Sequence, residues 1–134
     1  MLPLLNAIYA EFTSNGTLLS AFPGGLHREQ APEGTTMPYA VSRVVESKLV
    51  YSFNGPYRSQ TLVRFSAYAV GHDAAAGLMN TLVAQLDDRL FTLSSGAHVS
   101  TTRLDEPTPK LHRHDADGND VWEWSVSYEY GVKV

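Results

Sequence analysis

The chain has 134 residues, 43% of them hydrophobic and 18% charged, and ten basic against fourteen acidic side chains give a formal net charge of −4. That size fits a single domain spanning residues 1–134 with a core of its own, and the scattered Lys and Arg disfavour a surface built to grip duplex nucleic acid. With no cysteine, disulfides, thiolate metal sites and cysteine nucleophiles are excluded as well.

Met1-Leu2-Pro3-Leu4-Leu5 lacks the basic region of an export signal. No apolar run approaches the roughly 20 residues that span a bilayer. A soluble protein with no membrane partner is therefore expected. Leu5, Ile8 and Phe12 fall at helical spacing after Pro3, which a first helical turn tolerates. Ser14-Asn15-Gly16 then stops the helix, and Thr17 to Phe22 has room for one more short turn before Pro23-Gly24-Gly25. From Leu26 to Met37 the chain reads as loop, punctuated by Pro32, Gly34 and Pro38.

Tyr39 to Phe53 reads as a strand with imperfect alternation. Tyr39, Val41, Arg43 and Val45 fall on one face, and Ala40, Ser42, Val44 and Glu46 on the other. Asn54-Gly55 is a strong two-residue hairpin signal. Pro56 pushes the residue before it toward extended backbone, so a somewhat longer loop is expected. Thr61, Val63, Phe65, Ala67 and Ala69 then alternate as a half-buried strand should. Tyr51, Phe53 and Tyr57 gather where these two strands meet. Aromatic side chains are enriched at protein–protein hot spots, so an arm that contacts another protein is the functional reading. Tyr51, Phe53, Asn54, Tyr57 and Arg58 are its candidate interface residues.

Ala75, Leu78, Met79, Leu82, Val83, Leu86 and Leu90 mark one buried face of a long amphipathic helix. Asp73 stands at its start to cap it and to favour its dipole, and Ser94-Ser95-Gly96 ends it. Ala97 to Leu104 reads as a strand, while Pro107 and Pro109 interrupt the next segment. After the turn pair Asp117-Gly118, Trp122, Trp124, Val126, Tyr128 and Tyr130 alternate with Glu123, Ser125, Ser127 and Glu129. The expected fold is α+β: a mostly antiparallel four-stranded sheet, the long helix on one face, and a short N-terminal helix.

His112, His114 and Asp115 form the most site-like cluster, since two histidines at i and i+2 of a strand share a face with a carboxylate nearby. Their spacing matches no zinc signature, and polar residues beside a turn are the commoner explanation. Asp115 to Asp120 departs from a calcium loop, with Asp120 where glycine and Val126 where glutamate belong. No Gly-x-Ser-x-Gly elbow and no phosphate-binding glycine motif is present. The expectation is a protein without enzymatic activity, metal or cofactor. A small metal-dependent enzyme or ligand-binding domain using His112, His114 and Asp115 is the alternative.

The order of elements and certain residues carry a resemblance. Ala31-Pro32 leads to Met37-Pro38-Tyr39-Ala40-Val41, then to Val63-Arg64-Phe65-Ser66-Ala67-Tyr68. The Ala- and Leu-rich stretch Ala74 to Leu90 follows, and Asp115-Ala116-Asp117-Gly118 precedes the closing aromatic strand. In these features the chain resembles the tail-terminator (tail-completion, head–tail joining) proteins of long-tailed bacteriophages. The resemblance implies a virion protein without catalytic residues, assembled in the host cytoplasm into a ring of its own copies, typically a hexamer. Such a ring caps the tail tube, stops its polymerisation and offers a surface to the head–tail connector protein. DNA passes through the lumen without specific binding. A connector or stopper ring of the neck is the alternative within that class.

Overall fold

The structure is a computed structural model that describes residues 2–53, 55–87, 89–93, 95–114 and 118–133. In chain order the elements are α1 (Leu2–Thr13), α2 (Gly16–Ala21), β1 (Leu26–Arg28), β2 (Tyr39–Ser52), β3 (Gly55–Val70), α3 (His72–Leu86), β4 (Leu90–Thr92), β5 (His98–Arg103), β6 (Thr108–His114) and β7 (Asp120–Lys133). The strands form one seven-stranded sheet in the order β1-β2-β3-β7-β5-β4, with β6 also paired to β7. β1 runs parallel to β2 and the other pairs are antiparallel.

This corrects the expected four-stranded sheet with one long helix. The molecule is mostly β, a mixed sheet curled into a half-barrel with three short helices. Two of the unexpected strands, Leu26–Arg28 and Leu90–Thr92, are three residues long, too short to display a period of two. A third, Thr108–His114, contains Pro109 but pairs only with β7 among the described residues. Proline is tolerated on such an edge, where its missing N–H breaks no ladder. The helix ends at Leu86, and Leu90, in register with that helix in the sequence, instead enters β4 opposite Ser100.

One face of the sheet is buried under the helices. Leu4, Ile8 and Phe12 of α1 and Met79, Leu82 and Leu86 of α3 meet Val63, Phe65 and Ala67 of β3 and Val126, Tyr128 and Tyr130 of β7. On α1 the residue that shares the buried face with Ile8 and Phe12 is Leu4, with Leu5 only half-buried. Asn15 stops α1 and starts α2: its Oδ1 accepts from the backbone N–H of Thr17 and Leu18, and its Nδ2 donates to Gln85 Oε1 of α3 at 2.8 Å. Such a cap satisfies donors that a helix start leaves orphaned. Asp73 does not play that part in α3. Gly71 takes the cap position with no side-chain bond, and Asp73 lies in the first turn beside His72.

The edge of β7 is shared by two strands. β5 pairs with residues 128–132 and β6 with residues 120–125. Between them Leu104 N–H donates to Ser127 O, and Asp105 Oδ1 accepts from Ser127 N–H at 2.8 Å. The carboxylate thus replaces a missing strand at that point and leaves no buried backbone donor unpaired. Trp122 and Trp124, at the start of β7, are half-buried, with the His72 ring packed edge-on against both.

The opposite face of the sheet is covered at one end only. Tyr39, Val41 and Tyr68 form a second, smaller buried cluster with Ala31 and Met37 of the loop that precedes β2. That loop is held close: Gly24 lies against it so tightly that a Cβ there would sit 1.9 Å from Thr36 O. Gly24 N–H donates to Pro38 O at 3.0 Å.

Candidate functional site at the hairpin tip

β2 and β3 close on the pair Ser52↔Gly55, with Tyr51 opposite Pro56. Only positions 53 and 54 connect the strands, so the hairpin is tight, and the longer loop expected from Pro56 is not found. A register shift between Val50 and Tyr51 lets the proline into the ribbon, as bulges near sheet margins do. The hairpin is less of a free arm than the sequence implies. β7 flanks β3 as far as the pair Arg58↔Lys133, and β1 flanks β2 only at residues 40–42. Past those limits the tip is a two-stranded ribbon.

Tyr51 is 65% exposed and Phe53 is 110% exposed, so neither folds back onto the core. Leu49 on the same ribbon is exposed too. Arg58 is half-buried at the root of the tip. Asn54 lies outside the described residues, as does the side chain of Tyr57. Beside Arg58 opens a groove of about 630 Å³ between Leu90, Phe91, Thr92, His98, Val99, Ser100 and Gly131. Leu90 on its rim is 77% exposed. Sequence reasoning missed Leu90 as a surface residue, because four residues after Leu86 it continues the buried face of a helix. No local signal separates those two fates.

The histidine cluster comes apart in the structure. The register slips between Leu111 and Arg113, so His112 is the extra residue of a bulge and the i, i+2 alternation fails. His112 packs edge-on against the Tyr68 ring with centroids 4.9 Å apart, and its Nδ1 lies 3.9 Å from Glu123 Oε2. His114 pairs instead with Asp120. Asp115 lies outside the described residues. Among the described residues no three His, Asp or Glu side chains are grouped to hold a metal.

Glu123 Oε1 accepts from the hydroxyls of Ser66 and Ser125 at 3.0 and 3.3 Å. Tyr68 stacks on Tyr39, with centroids 4.9 Å apart. Burial, followed by the nearby Glu123 carboxylate, pushes the Tyr68 phenol up to about 12. Burial also raises Tyr39 and Tyr130, and it raises Tyr128 together with the Asp87 carboxylate that accepts its O–H at 2.7 Å. Arg103 bridges the same Asp87 and Glu106. Each shift favours the neutral phenol, the form that donates rather than attacks.

No known protein family matches the chain. No curated protein matches it either. Among 29 matching chains of solved structures, one belongs to the virion of a native gene transfer agent particle. The two folds superpose with a TM-score of 0.67 at 12% sequence identity, over 95% of this chain and 92% of that one. The likeness is one of fold, and it runs through the whole β-rich architecture rather than a fragment.

Proposed function

We propose that this chain is a structural virion protein of the tail-terminator type. In this reading residues 1–134 act as one domain whose copies assemble into a hexameric ring. The ring caps the tail tube, stops its polymerisation and joins the tail to the head–tail connector. The observation that carries the reading is the nearly end-to-end likeness of fold to a chain of a gene transfer agent virion. The hairpin tip supports it, since large apolar side chains held out from a two-stranded ribbon mark a protein contact. Tyr51, Phe53, Asn54, Tyr57 and Arg58 are the proposed contact residues. The protein has no catalytic role, resides in the tail or neck of the particle after assembly in the host cytoplasm, and lets DNA pass without specific binding. The net charge of −4 fits a lumen that does not hold DNA.

A connector or stopper ring of the neck is the second reading, favoured by the same likeness of fold. The test is electron microscopy of the purified protein together with binding to polymerised tail tubes. A terminator forms closed rings that bind tube ends and arrest growth. A neck ring assembles but leaves tube growth unchanged.

A further inference from the structure

We propose that the core binds one water molecule as part of the fold, bridging Thr101 of β5 and Tyr130 of β7 to Gln85 of α3. Thr101 and Tyr130 stand opposite each other in the β5–β7 ladder, so their side chains share the face of the sheet that lies under the helices. Thr101 is 5% exposed, and its Oγ1 is buried with no hydrogen-bond partner among the described residues. Tyr130 is buried as well, with its ring packed edge-on against Phe65 and Phe91. Burial alone raises its phenol, with no charged or hydrogen-bonding neighbour adding to the shift.

Both side chains line one cavity of about 10 Å³, walled otherwise by apolar groups of Ile8, Leu18, Leu86 and Phe91. That is room for one water molecule and nothing larger. Two polar contacts between elements also border it. Asn15 Nδ2 donates to Gln85 Oε1 at 2.8 Å, and Arg89 pairs with Glu11 at 2.8 Å. These four side chains are half-buried or exposed, so they stand on the solvent side of Thr101. They tie α1 and the α1–α2 corner to α3 and the segment after it, and they slow the exchange of a molecule held behind them.

The chemistry of the two hydroxyls names the ligand. Each is both donor and acceptor, and a buried hydroxyl left unbonded costs more than a made bond contributes. A water between them donates to one and accepts from the other. Buried waters make about three hydrogen bonds, and the Gln85 amide on the same lining supplies the third. The water is then a polar joint between the sheet and the helical layer, inside a core that is otherwise apolar at this point.

The sign of one substitution separates a hydrated site from a dry one. Valine has nearly the shape of threonine without the hydroxyl. With the water in place, Thr101→Val removes one of its partners and should lower the melting temperature by about 3–5 °C. In a dry site the same change deletes an unpaired hydroxyl and raises the melting temperature. Oxygen-17 relaxation dispersion, which counts long-lived buried waters, should fall by one water in Thr101→Val. It should keep the wild-type amplitude in Thr101→Ser, which retains the hydroxyl. A Thr101→Val variant that melts at or above the wild-type temperature, or that keeps the wild-type amplitude, overturns the inference. A crystal structure of the wild-type protein checks the site without any variant. It should show a water oxygen within about 3 Å of both hydroxyls, and a well-defined map with none there overturns the inference as well.

Discussion

The two halves of the β2–β3 hairpin share one backbone ladder and differ in what lies over them. In the half nearest Tyr39 and Ala69, both faces carry buried residues: helices pack on Val63, Phe65 and Ala67, and the loop with Ala31 and Met37 covers Tyr39, Val41 and Tyr68. In the half nearest the turn, Leu49, Tyr51 and Phe53 are as apolar and are exposed. Aromatic content alone does not decide burial here. What differs is the cover: helices and the loop held at Gly24 lie over the first half.

The largest effect expected from this contrast is on stability. Phe65→Ala, at a fully buried position, should cost about 3–5 kcal/mol in a denaturant melt, and a smaller loss would mean that the covered half is loosely packed. Gly24→Ala should come next, at about 1–3 kcal/mol, because a Cβ 1.9 Å from Thr36 O forces the covering loop away. Its effect should appear first as increased hydrogen exchange in β2 around Val41.

Alkaline pH probes the same half through its phenols. A tyrosine is neutral when protonated, and Tyr68 is raised from 10.0 to about 12. Between those values the folded protein keeps a proton that the unfolded chain has lost, so stability falls as pH rises. Below pH 10 the full stability is present. Circular dichroism recorded with phenolate absorbance should show ionisation of Tyr68 delayed until the protein unfolds. Free titration near pH 10 in a folded protein would contradict its burial. The smallest stability effect belongs to the exposed half. Tyr51→Ser with Phe53→Ser should shift unfolding by no more than about 0.5 kcal/mol, while assembly is lost. A variant that unfolds instead would place the tip in the core.

Much of the covered half is legible in the sequence. The alternation of Val126, Tyr128 and Tyr130 and the stripe Ala75, Met79, Leu82 and Leu86 reach the core as their periods predict. What escapes the reading has physical causes. Strands as short as Leu26–Arg28 and Leu90–Thr92 show no period and exist through long-range pairing. Bulges at Val45 and His112 exchange the faces of the residues that follow. The first undoes the face assigned to Val45, and the second separates His112 from His114. At the candidate site the exposure of Tyr51 and Phe53 follows from their position around a turn. Leu90 and the groove do not, because they depend on where α3 stops.

The most direct test of the account is the mass of the purified protein in solution, measured across concentration and paired with electron microscopy. The account predicts closed hexameric rings. A strict monomer at high concentration that also fails to bind tail tubes would contradict it.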